Sequence, residues 1–133
     1  MKIFISYAEG DAAVARRLVE GLRREGLDVW YDRDEIFPGD NWAEVAAGAL
    51  KECQAMAVIF SPRAAESQSI QRDVSFALGN TRYRRRVFPI LVEGAAPEVV
   101  PWVLRQYPLI QVSEDRSLAE AVKQIAGSLL AAV

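Results

Sequence analysis

Short runs of β-forming residues alternate with amphipathic helical stretches along this chain, and that alternation leaves few folds open. KIFISY (2–7) reads as a strand closed by polar residues. DAAVARRLVEGLRREG (11–26) follows as a helix, with Val14, Leu18 and Leu22 at helical spacing, Asp11 as its N-cap and Gly26 as its stop. LDVWYD (27–32) is the second strand, and DRDEIFPGDN (32–41) reads as a loop from its acids, Pro38 and Gly39. WAEVAAGALKEC (42–53) is a helix. AMAVIFS (55–61) is so nearly unbroken in apolar residues that both faces of that strand must be covered.

The second half keeps the same rhythm. A helix is predicted over roughly 67–81, a strand at VFPILV (87–92) with Pro89 near its start, and a short helix within APEVVPWVLRQ (96–106). YPLIQV (107–112) is a fifth strand, marked as an edge by Pro108. The closing helix, 117–133, lines up Leu118, Val122, Ile125 and Leu129.

Five strands separated by helices predict an α/β fold, a flavodoxin-like three-layer sandwich with a five-stranded parallel sheet of order 2-1-3-4-5 and helices on both faces. The 133 residues fit a single domain, 1–133. Ligands of such sheets bind beyond the carboxyl ends of the strands. That rule puts Ser6, Tyr7, Asp32, Ser61 and the loops after them at the functional end.

Composition removes several chemistries. With no histidine and one cysteine, Cys53, the common zinc sites and histidine-dependent nucleophiles are excluded, no metal site is expected, and no internal disulfide can form. The net charge of −2 gives no general pull toward nucleic acid. The N-terminus reaches charged residues too early for a signal peptide, and no apolar run approaches the roughly 18 residues of a membrane span. A cytoplasmic domain without membrane contact is the expectation.

The basic block RYRRR (82–86) falls between a helix end and the fourth strand, at the edge opposite the crevice. Cations there complement the negative end of a helix, so nucleic acid is not an expected partner. Neither glycine-rich phosphate signature is present. A phosphoacceptor receiver domain shares this architecture but wants an aspartate where Ser61 stands. The loop at 32–41 instead holds Ile36 and Phe37, large apolar residues that either fold under the domain, meet a second domain or cover a ligand. Trp42 is either core or a platform on which a flat base stacks.

One acid remains, in ESQSIQRDVSFAL (66–78). Ile70, Val74, Ala77 and Leu78 form one stripe, and Asp73 lies about 60° from Ile70 around the helix, at the margin of that stripe. If Ser67 or Ser69 caps the helix, Asp73 falls in or near the first turn, where the helix dipole favours a carboxylate. Such an acid either serves a ligand in the crevice or only stabilises the helix start.

FISYAEGD (4–11), GLDVWYD (26–32), IFPGDNW (36–42) and VIFSP (58–62), in this order and spacing, resemble a Toll/interleukin-1 receptor (TIR) domain of the bacterial kind over essentially the whole chain. The resemblance implies that IFPGDNW lies in the BB loop and that the partners are other TIR domains, homotypic or heterotypic. It also implies NAD+ as a substrate, with release of nicotinamide by hydrolysis or cyclisation, and no cofactor. The family's catalytic acid is a glutamate in the helix after strand three, in a pattern of S-P, tryptophan, then R/K-E. Counted from Ser61-Pro62, these positions are Ser69, Arg72 and Asp73, so serine replaces the tryptophan and aspartate the glutamate. By resemblance, Asp73 is the catalytic acid, and Ser6, Tyr7, Phe37 and Trp42 line the NAD+ pocket. Ile36, Phe37, Pro38 and Gly39 form the contact surface.

Breaking the nicotinamide–ribose bond builds positive charge on the sugar, which a fixed carboxylate stabilises. Aspartate is one methylene shorter than glutamate, and a misplacement of about 1 Å at a reacting centre costs on the order of 100-fold. Glu66 would need a different loop path to substitute for it. The sequence therefore predicts TIR–TIR assembly in cytoplasmic, bacterial immune-type signalling, with an NAD+ glycohydrolase or cyclase weakened at Asp73 as the alternative.

Overall fold

The chain was analysed as a computed structural model that describes residues 1–92, 94–112 and 115–130. Its strands are β1 (Lys2–Ser6), β2 (Asp28–Trp30), β3 (Ala55–Phe60), β4 (Val87–Val92) and β5 (Ile110–Val112). They pair in parallel in the order β2-β1-β3-β4-β5, as the alternation predicts. The helices are α1 (Ala12–Arg24), α2 (Asp32–Glu35, a single turn), α3 (Trp42–Glu52), α4 (Gln68–Leu78) and α5 (Asp115–Leu130).

Period-two alternation in the strands sends successive side chains to opposite layers. Ile3, Ile5, Ala57, Ile59 and Ile90 pack with α1 and α5, including Leu118, Val122, Ile125 and Leu129. Phe4, Met56, Val58, Phe60 and Leu91 pack with α3, α4 and the turns around Tyr83 and Leu104. β3 is buried along its whole length, which explains its unbroken apolar run.

Prolines account for two of the boundaries that differ from expectation. The predicted helix at 96–106 is two 3₁₀ turns, Pro97–Val99 and Trp102–Leu104, because Pro101 between them has no N–H to continue a helix. The fifth strand begins at Ile110 rather than 107, beyond Pro108. β5 pairs with β4 only from Ile90 onward, so Pro89 lies where that side of β4 is unpaired, a position that tolerates a missing donor. Within the predicted loop 32–41, residues 32–35 form the turn α2. α4 stops at Leu78, and a 3₁₀ turn, Thr81–Tyr83, takes the end of the predicted 67–81 helix. The last residues of the predicted 117–133 helix, 131–133, lie outside the described residues.

The basic block is tied to the structure rather than set apart from it. Tyr83 is fully buried and donates to the Leu50 carbonyl at 2.6 Å, while Arg82 donates to the Lys51 carbonyl at the C-terminal end of α3. The helix end it complements is thus that of α3.

Candidate functional site

β1 ends at Ser6 and β2 at Trp30, and α3 and α4 begin at the same rim of the sheet. α3 starts cleanly because Asn41 accepts from the Glu44 N–H at 3.2 Å, and α4 because Ser67 accepts from the Ile70 N–H at 3.3 Å. Among the described residues, the buried polar or charged side chains are Ser6, Asp11, Ser61 and Asp73. They form two serine–aspartate pairs that cross between the central strands. The Ser6 hydroxyl at the end of β1 donates to Asp73 Oδ2 at 2.9 Å, and the Ser61 hydroxyl after β3 donates to Asp11 Oδ2 at 2.5 Å.

Asp11 stands at the N-cap position of α1, as the sequence predicts, but its side chain does not cap the helix. Its side chain makes no capping bond to α1 and instead accepts from Ser61 and from Arg63 Nη1, the latter at 2.7 Å. Ser61 also accepts from the Arg63 N–H at 3.1 Å. The stem of Arg63 lies against Gly10, where a Cβ would come within 2.7 Å of Arg63 Cδ. The loops after β1 and β3 are stitched together by this cluster.

Asp73 differs from expectation in two respects. With Ser67 as the cap it falls in the second turn of α4, beyond the reach of the free N–H groups, and it is 4% exposed rather than marginal. Burial pushes its carboxyl above the ordinary value. The Ser6 hydrogen bond and the Arg72 charge oppose that rise. Arg72 donates to Asp73 Oδ1 from both Nη2 and Nε, at 3.1 and 3.3 Å. The same guanidinium lies 4.8 Å from the centre of the Trp42 ring.

Around this pair, Tyr7, Trp30, Asp32, Trp42, Ser69 and Arg72 enclose a crevice of about 20 Å³ with Asp73 in its wall. Trp30 is fixed there by stacking on Phe4, with ring centres 4.9 Å apart. Outside it lies an open cleft of about 410 Å³, lined by Tyr7, Glu9, Asp32, Arg33, Trp42 and Ser69. Tyr7 donates to Asp32 Oδ1 at 2.6 Å and accepts from Arg33 Nε at 3.2 Å. Burial and the Asp32 carboxylate raise the Tyr7 hydroxyl pKa, so it stays a donor at neutral pH.

Of the residues singled out from the sequence, Ser6, Tyr7, Trp42 and Asp73 come together at this site. Phe37 does not line either space and stands 63% exposed. It sits in a tight turn: its N–H donates to Asp40 Oδ2 at 2.9 Å, its carbonyl accepts from the Asp40 N–H, and Gly39 supplies a φ of +96°. Pro38 is exposed beside it, while Ile36 is partly buried against the core. The root of this loop is anchored by Asp34, which pairs with Arg23 at 2.7 Å and Arg16 at 3.3 Å. Sequence reasoning missed Arg33, Arg63 and the pairing role of Asp11. The serine that closes both β1 and β3 is the signal that points to the paired acids.

A family model described as TIR domain matches residues 3–126. A probable 2′ cyclic ADP-D-ribose synthase of Brachypodium distachyon, BdTIR, is 29% identical over 94 residues, 69% of this chain and 41% of that protein. The chain thus spans about two fifths of the length of that curated relative. A metazoan TIR-STING receptor from C. gigas, solved with 2′,3′-cGAMP, superposes with a TM-score of 0.77 at 21% identity, covering 93% of this chain and 39% of the receptor. The TIR domain of the Toll-related receptor TRR-2 from Hydra magnipapillata gives 0.69 at 21% identity over 98% of this chain and 94% of its own. The strand order, the anchored loop after β2 and a family match running almost end to end agree, and the chain belongs to the TIR domain family.

Proposed function

We propose that this TIR domain is a signalling module that cleaves the nicotinamide–ribose bond of NAD+ slowly at the Asp73 site. The observation that carries the reading is the placement of Asp73: a buried carboxylate in the wall of a narrow crevice opening onto a ligand-sized cleft at the carboxyl ends of the strands. In this reading the Trp42 ring and Tyr7 receive the flat and polar parts of the nucleotide. The C1′–N bond breaks with its electron pair passing to the pyridinium nitrogen, and neutral nicotinamide leaves. The ionised Asp73, oriented by the Ser6 hydroxyl, stabilises the positive charge left on the ribose until water or a hydroxyl of the product closes on C1′. The likeness to a probable 2′ cyclic ADP-D-ribose synthase favours the same chemistry.

Slowness follows from the short side chain. Asp73→Glu adds one methylene of reach, and the expected gain in nicotinamide release is up to the order of 100-fold. Asp73→Ala is expected to abolish release with circular dichroism unchanged. Absence of nicotinamide release by both the wild type and Asp73→Glu at high protein concentration overturns the reading.

Assembly with other TIR domains is the second role, favoured by the 63% exposure of Phe37 on a loop whose root is fixed and whose tip, Pro38–Gly39, is open. With it goes the setting implied by the resemblance, immune-type signalling in the cytoplasm of a bacterium. Among the described residues no helix is long and apolar enough to cross a membrane. Phe37→Ala is expected to lower self-association in light scattering, and unchanged association overturns this part.

A further inference from the structure

Arg72 stands in the way of the chemistry just described. It places a positive charge on the carboxylate that has to face a sugar cation, and it covers one face of the Trp42 ring, which is 43% exposed, on which a base has to stack. The crevice beside Arg72 holds about 20 Å³, room for about one water and too little for a sugar. The open cleft, which shares Tyr7, Asp32, Trp42 and Ser69 with the crevice, holds about 410 Å³, within the range of small-molecule sites. The guanidinium is held only at its tip, by two bonds to one oxygen of Asp73 and by the face of Trp42, and the side chain remains 43% exposed. A long, half-exposed arginine held in this way has room to turn outward by rotation about its own side-chain bonds.

We propose that Arg72 is a plug: in the resting domain its guanidinium closes the passage between Trp42 and Asp73, and the site opens when it swings out. The inference rests on the reading of the cleft as a nucleotide site and names the regulation of that site. Swinging out frees Asp73 and the covered face of the Trp42 ring.

The test reads the plug without relying on catalysis. Trp102 is 78% exposed and Trp30 is buried, so Trp102→Phe leaves Trp42 as the main target of a neutral quencher. In that background, Arg72→Ala is expected to raise acrylamide quenching of Trp42, and Asp73→Asn, which weakens the hold on Arg72, to raise it in the same direction. If the plug is closed in about nine of ten molecules, Arg72→Ala also tightens apparent NAD+ binding about tenfold in calorimetry. Unchanged quenching in both variants, or weaker NAD+ binding by Arg72→Ala, overturns the plug. Raised quenching with no NAD+ binding by any variant supports the plug and overturns the nucleotide reading instead.

Discussion

Two buried aspartates in this domain have partners of the same kind, one serine and one arginine each, in different surroundings. Asp11 accepts from Ser61 and Arg63, and Asp73 from Ser6 and Arg72. Around Asp11 the contacts close on themselves: Ser61 donates to the acid while accepting from the backbone of Arg63, whose stem lies on Gly10. Around Asp73 the arginine rests on an aromatic ring, and the carboxylate forms part of the wall of a crevice. One pair fastens the loops after β1 and β3, and the other lines a small crevice next to an open cleft. A buried, hydrogen-bonded acid is not in itself a site, and access separates the two.

The largest expected contrast is in activity. Asp73→Ala removes nicotinamide release, whereas Asp11→Ala leaves release per folded molecule intact, as a coupled nicotinamide assay on both variants will read. Stability should contrast in the opposite sense. Asp11→Ala strands the Ser61 hydroxyl without its buried acceptor and is expected to cost about 1–3 kcal/mol in urea denaturation.

Asp73→Asn is expected to behave differently with pH. The folded-state pKa of Asp73 lies above its ordinary value of 3.8, so the folded state holds the proton more tightly than the unfolded chain. This acid's contribution to stability is therefore greatest below 3.8 and is lost as pH rises through its folded pKa. Asn keeps an acceptor for Ser6 without a charge to bury, so the variant should gain stability relative to wild type at neutral pH and lose that advantage in acid. An advantage of the Asn variant that grew as pH fell would mean that the folded state favours the ionised carboxylate, held by Ser6 and Arg72, over the protonated one. The smallest effect on folding is expected at Phe37→Ala, within about 0.5 kcal/mol of wild type, since the ring is exposed. Its effect belongs to association, and a large loss of stability would mean that the ring is packed.

Much of the fold was legible because the apolar runs announce their own periodicity, and β3, buried at every position, is the clearest of them. Legibility failed at the prolines, where a local break in hydrogen bonding converts a helix at 96–106 into two turns. At the site, the rule that strand ends carry function placed Ser6 and Tyr7 at the rim where the crevice lies, and Ser61 beside it. Asp11 was misread because an aspartate before a helix is a good cap locally, and nothing local reveals that Ser61 and Arg63 arrive from across the rim. Asp73 was misread in depth: a helical wheel gives an angle, while the end of β1 and the start of α3 decide how deeply that angle is covered.

The most direct measurement is nicotinamide released from NAD+ by wild type, Asp11→Ala and Asp73→Ala side by side, each normalised to its folded fraction. The account predicts equal release by the first two and none by the third, with Asp11→Ala alone melting earlier. Release that survives in Asp73→Ala, or vanishes from folded Asp11→Ala while Asp73→Ala keeps it, contradicts the account.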